Sequence, residues 1–161
     1  MVQVPVLAIH GGAGTINREA LSAEAEREYR GALQSILEKG RDALAAGASA
    51  LDAVTLAVSM LEDCPLFNAG RGAVYTSAET HEMDAAIMDG KTQKAGAVAG
   101  VTRTRHPIDL ARAVMDKSPH VMLARDGADR NLRHDDRGDQ QQEQHLQFLD
   151  RDDDLRYARQ R

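Results

Sequence analysis

The sequence predicts an α/β protein of the α+β kind, a sheet layered with helices rather than a doubly wound parallel sheet. Three observations predict it. Apolar runs of strand length recur, and the two at residues 83–89 and 94–101 are joined by an Asp89-Gly90 turn, as in a hairpin. Two earlier stretches carry apolar residues at helical spacing. Glycine or proline stands where each run should stop. Hairpin-linked strands and two packed helices favour helices laid against a sheet.

The elements follow in chain order. "VPVLAI" at residues 4–9 reads as a buried strand stopped by Gly11 and Gly12. Residues 22–46 read as a helix with Leu33, Ile36, Leu37 and Leu44 on its apolar side. Gly40 is expected to weaken that helix, and Gly47 to stop it. Ser49 followed by Asp52 has the form of a capping box, with Leu51, Val54, Val58 and Leu61 on one face of the next helix. Pro65 ends it. "GAVYT" (72–76), "MDAAIMD" (83–89) and "KAGAVAGV" (94–101) read as strands. Pro107 suits the first turn of a helix to about Lys117, and "HVMLA" (120–124) reads as a last strand.

Composition narrows the function classes. A chain of 161 residues can bury a sizeable core. The formal net charge of −5 gives no basic footprint for nucleic acid. Cys64 stands alone, which excludes an internal disulfide and suits a reducing compartment. The N-terminus has no basic region and no apolar run of membrane-spanning length, so a cytoplasmic protein is expected, with no membrane partner.

A compositional seam falls near residues 125–130. Residues 126–161 hold 9 Asp, 7 Arg and 6 Gln, and no Val, Ile, Ser, Thr, Pro or Lys. Such a segment buries too little apolar area to offset its ordering entropy, so disorder or a frayed helix is expected there. Two parts follow: an ordered residues 1–125 and a tail, 126–161.

Candidate chemistry is sparse on residues alone. "HGGAG" at 10–14 lacks the Lys-Ser/Thr of a phosphate loop, and a tight turn after a buried strand is the preferred reading. "HEMD" at 81–84 lacks the second histidine of a zinc helix. Cys64 sits at a helix C-terminus, whose negative end disfavours a thiolate. The carbonyls of Leu61 and Glu62, with the irregular turn from Cys64 to Arg71, could converge on one hard cation.

Six motifs in order carry a resemblance: "AIHGGAG" (8–14), "SALDAV" (49–54), "LEDCPLFNAGRGAVYT" (61–76), "HEMDAAIMDG" (81–90), "AGAVAGV" (95–101) and "SPHVML" (118–123). Together they resemble the α-subunit of the isoaspartyl peptidase/L-asparaginase family, the plant-type asparaginases among the N-terminal-nucleophile hydrolases. The resemblance implies the N-terminal half of an αββα sandwich. It also implies a precursor that cleaves itself before a threonine, which then supplies hydroxyl nucleophile and amine base. The implied substrate is L-asparagine or a β-aspartyl dipeptide, and the implied assembly is (αβ)2, with the β-subunit as partner.

Residue by residue, the resemblance implies a structural sodium ion held by the main-chain carbonyls of Leu61, Glu62, Cys64, Phe67, Ala69 and Arg71, and no catalytic cofactor. Asn68 matches the asparagine that supports the nucleophile. His10, Gly11, Gly12 and Gly14 match the glycine turn near the active-site floor.

No nucleophile matches. The family's threonine lies in a Gly-Thr-Val-Gly context, and the Gly14-Thr15 pair is followed by Ile16-Asn17, a decoy in the first turn. No catalytic or substrate-binding residue of the β-subunit is present, so the chain alone is expected to be inactive. The tail reads either as a natural disordered segment or as a frameshifted linker, since Gln and Asp codons read one base later give Asn, Ser and Thr among other residues. Two function classes stand: an amidohydrolase fragment completed by a β-portion, and a non-catalytic partner or regulator of a full-length relative.

Overall fold

The hairpin at the centre of the sequence organises the sheet. In the computed structural model, which describes residues 4–12, 14 and 21–135, strands β1 (Met83–Met88) and β2 (Ala95–Val101) pair antiparallel, with Ala85 opposite Val98 and Met88 opposite Ala95. The Asp89 carboxylate makes the turn by accepting the N–H groups of Lys91 and Thr92, at 3.0 and 3.2 Å. A bulge between Met83 and Ala85 offsets the register; Gly100 (φ +62°) donates its N–H to the Asp84 carboxylate across the strands at 2.7 Å.

Helix α3 (Pro107–Lys117) leaves β2 with Pro107 in its first turn and returns the chain to β3 (Met122–Ala124), which pairs parallel to β2. The described sheet therefore has the order β1-β2-β3. Helix α3 buries Ile108, Leu110, Ala111, Val114 and Met115 and packs on β1 and β2. The helix and β2 approach closely at Gly96, where a Cβ would run into the Ala111 carbonyl and lie 2.5 Å from the Met115 nitrogen. This is the expected α+β arrangement of helices on a small mixed sheet.

The helices before the hairpin start where expected. Ser22 caps α1 (Ala23–Ala45) by accepting the Ala25 N–H at 3.1 Å, and Gly47 (φ +92°) follows its end. The expected weak point at Gly40 is corrected. The helix runs through it because Gly40 is buried and its missing side chain makes room for Leu7. In α2 (Ala50–Asp63) the capping box is complete: Ser49 Oγ accepts the Asp52 N–H at 3.1 Å, and Asp52 accepts the Ser49 N–H at 3.4 Å.

Of the expected apolar face of α2, Leu51 and Val58 are partly buried and Leu61 packs on the core, but the fully buried apolar positions lie elsewhere. Ala53 and Ala57 are its buried apolar residues, whereas Val54 stays 37% exposed. Small side chains let α1 and α2 approach, and Ala57 joins Ile36 and Phe67 in one core cluster with Ile9, Tyr29 and Leu33.

Two expected strands are absent. Residues 4–9 and 73–76 have no ladder partner among the described residues, and Gly70–Gly72 forms a 3-10 turn. An apolar run supplies strand preference, but the ladder needs a second segment. Val4 and Val6 remain 82% and 90% exposed.

The tail begins in order. Helix α4 (Arg125–Asp135) runs across the start of the segment where disorder or a frayed helix is expected. Asp129 is the physical reason. Its buried carboxylate accepts the Thr102 and Arg103 N–H groups at 3.4 and 3.3 Å and the Thr102 hydroxyl at 3.1 Å. One compact unit extends to Asp129 and a second begins at Arg130. Thr15 and residues 136–161 lie outside the described residues.

Candidate functional site

Pro65 stops α2, and the chain then folds back through a ladder of short main-chain bonds. The Cys64 N–H donates to the Leu61 carbonyl at 3.2 Å, Phe67 to Cys64 at 3.3 Å, Ala69 to Phe67 at 2.8 Å and Gly72 to Ala69 at 3.0 Å. Four of the six expected cation-binding carbonyls thus each accept one N–H and keep a second lone pair. Gly70 (φ +51°) permits the tightest approach: a Cβ there would overlap the Glu62 carbonyl. A Cβ on Gly72 would overlap the Phe67 carbonyl and come within 2.9 Å of that of Pro65. The sequence closes this loop over the end of α2 because two glycines leave room for the carbonyls.

Asn68 pins the exit from the loop. Its Oδ1 accepts the Val74 N–H at 3.0 Å, which leaves the amide N–H donors uncommitted among the described residues. The side chain is exposed.

The glycine turn after residues 4–9 lies against this loop. A Cβ on Gly11 would sit 2.7 Å from the Phe67 ring and 3.3 Å from Leu33. Tyr29 meets the same ring edge-on, with centroids 6.0 Å apart at 72°. The expected site residues Gly11 and Phe67 are therefore in contact, with Asn68 next in the chain. His10, Gly12 (φ +126°) and Gly14 are exposed. The turn does not end a strand, for the reason given above.

Glu62 does more than its expected main-chain role. Its side chain is 3% exposed, and its Oε1 accepts the Ile108 N–H at 3.1 Å in the first turn of α3. The N-cap residue of that helix, His106, makes no capping bond, so Glu62 caps α3 from another helix. Its Oε2 has no partner among the described residues. Burial pushes this carboxyl up to about 8; the Ile108 N–H opposes the rise, and the charges of Asp109 and Asp63 add to it.

Next to it, Asp63 accepts from Arg105 at 2.8 Å and lies 3.0 Å from His106 Nε2. Burial favours the neutral acid of Asp63, but the His106 and Arg105 hydrogen bonds outweigh it and hold the carboxyl below its ordinary value. The sequence signal for these contacts is faint: a helix that starts at His106-Pro107 lacks a capping side chain and needs an acceptor from elsewhere.

Among the described residues no three His, Cys, Asp or Glu side chains converge as a metal site, and no helix is long and apolar enough to cross a membrane. The main-chain oxygens of the 61–71 loop are hard, neutral donors, a chemistry that suits a hard cation rather than a soft transition metal.

The described scaffold is a layered α+β one, with a glycine turn seated on an asparagine-bearing loop. The family model described as asparaginase matches residues 3–160, and the chain belongs to this family. It is 59% identical over 124 residues to the isoaspartyl peptidase of Escherichia coli, covering 77% of this chain and 39% of that protein. The isoaspartyl peptidase of Salmonella typhimurium is 60% identical over 124 residues, 77% of this chain and 40% of its own. The plant-type L-asparaginase of Pyrococcus furiosus is 50% identical over 126 residues, 74% of this chain and 38% of its own. The chain thus spans about two fifths of the length of these relatives.

Proposed function

We propose that these 161 residues form the α-portion of an amidohydrolase that cleaves the side-chain amide of L-asparagine or of a β-aspartyl dipeptide. The observation that carries this reading is the contact of Gly11 with Phe67 beside Asn68, which brings the matched turn and loop together. The 59% identity to an isoaspartyl peptidase supports the choice of chemistry.

In this reading the nucleophile is a threonine of a β-portion, which makes the 161-residue chain inactive by itself and active in an (αβ)2 assembly. Its α-amine, with an ordinary pKa of about 7.7–8.0, takes the hydroxyl proton as base. Asn68, held through Oδ1 by the Val74 N–H, offers its amide N–H groups to the reacting centre. Leu61, Glu62, Cys64, Phe67, Ala69 and Arg71 would hold a sodium ion through their carbonyls. The chemistry it supplies is structural, offsetting the mutual repulsion of converging carbonyl dipoles. A reducing cytoplasmic compartment suits the lone Cys64.

The test is ammonia release from L-asparagine and from a β-aspartyl dipeptide, with and without the β-subunit of a close relative. Activity only after mixing supports the proposal. Activity of the chain alone refutes the assignment of the nucleophile to a second portion. Stable association without activity favours a non-catalytic partner of a full-length relative instead.

A further inference from the structure

We infer that Glu62 is a positioning residue that makes the 61–71 loop and the first turn of α3 one linked unit, so that cation binding in the loop and order at the start of α3 stabilise each other. The inference rests on the cation reading above and extends it to a helix that contributes none of the proposed ligands.

The geometry is that of one residue with two ends. Its main chain faces the loop: a Cβ on Gly70 would overlap the Glu62 carbonyl and lie 2.7 Å from the Glu62 Cβ. Its side chain reaches the other way, where Oε1 accepts the Ile108 N–H at 3.1 Å. Glu62 is 3% exposed, so neither end is free to reorient into solvent. Helix α3 has no capping bond from His106, so the Ile108 N–H depends on this carboxyl. A loop tightened around a cation therefore fixes the Glu62 backbone, and with it the acceptor that α3 needs. By reciprocity, loss of the acceptor must weaken cation binding by the same factor.

Asp63 provides a neighbouring tie between the same segments, through Arg105 and His106 at 2.8 and 3.0 Å. These contacts involve side chains outside the carbonyl set. They stabilise the junction without sensing the loop.

The measurement is residue-resolved hydrogen exchange on the full 161-residue chain, in sodium chloride against choline chloride at equal ionic strength. Sodium is expected to slow exchange at Ala69 and Gly72 in the loop and, with the same midpoint, at Ile108. In Glu62→Ala the loop response should remain but move to at least about fivefold higher sodium, and the Ile108 response should vanish. Glu62→Gln, which keeps an acceptor oxygen, should restore both. Asp63→Asn should leave both responses in place.

A loop that responds while Ile108 does not would overturn the link and leave the cation reading intact. Persistence of the Ile108 response in Glu62→Ala would show that another residue carries the signal. No sodium response at the loop would refute the cation reading and this inference together. If Glu62→Ala fails to fold, judged by lost protection at Val98 in β2, Glu62→Gln decides on its own: failure to transmit to Ile108 overturns the link.

Discussion

The Phe67 ring is seated against the bare Cα of Gly11, close enough that a methyl group there would lie 2.7 Å from a ring carbon. Gly11→Ala therefore has to displace a buried ring or lift the turn away from Asn68. It should cost about 1–3 kcal/mol in urea unfolding, the usual range for overpacking. Among the described residues nothing stands within 4 Å of a Cβ on Gly14, so Gly14→Ala should change stability by less than about 0.5 kcal/mol. Equal effects at the two positions would mean that the turn is not held by Phe67.

Two further glycines should respond with opposite signs. At Gly96 the added methyl meets the backbone of α3, the Ala111 carbonyl and the Met115 nitrogen, which cannot swing aside. Gly96→Ala should destabilise by about 3 kcal/mol or more, by forcing α3 off the sheet. Gly31 lies in α1, and among the described residues nothing stands within 4 Å of its would-be Cβ. Gly31→Ala should stabilise by roughly 0.5–1 kcal/mol, through helix propensity. Urea midpoints of the two variants check both signs.

The capping box gives a pH-dependent prediction. The Ser49 hydrogen bond, and then that of Arg112, hold the Asp52 carboxyl below its ordinary value of 3.8. A folded-state value below the unfolded one contributes stability that is present above 3.8 and lost as pH falls through the folded value. Asp52→Asn should therefore remove part of the acid-side loss measured by urea unfolding between about pH 5 and 2. Ser49→Ala should cost about 1 kcal/mol at neutral pH. An acid limb unchanged in Asp52→Asn would assign that loss to other carboxylates.

Asn68 separates a structural from a chemical role within one side chain. Asn68→Asp keeps an acceptor for the Val74 N–H and removes the amide donors. In the assembly with a β-portion, kcat should fall by at least about 100-fold, with little change in Tm. A large loss of Tm with kcat retained would make Asn68 a loop brace only.

What the sequence revealed was local. Ser22, the Ser49–Asp52 pair and Pro107 mark helix starts within four residues, and Asp89 builds its turn with Lys91 and Thr92. These elements stand where the sequence puts them. Residues 4–9 did not become a strand because a ladder is a property of two segments, and the described residues offer no second one. The site divides the same way. The irregular loop was legible from Pro65, Gly70 and Gly72, whereas the Glu62 side chain was not, because its partner is 46 residues away. The sequence marked Glu62 as a helix-end carbonyl and gave no sign that its carboxyl would be buried.

The unbroken succession β1, β2, α3, β3 within residues 83–124 also bears on how the chain folds. Each of these elements packs on a near neighbour in sequence, so little loop-closure entropy opposes their assembly. The segment is expected to form the folding nucleus, with the α1–α2 layer docking later. Val98→Ala should then slow refolding, while Ile36→Val should act mainly by speeding unfolding. A chevron plot in which Ile36→Val alone slows refolding would place the nucleus in the helices. If the hairpin leads, the chain's commitment to its fold is made in the stretch that carries none of its proposed chemistry.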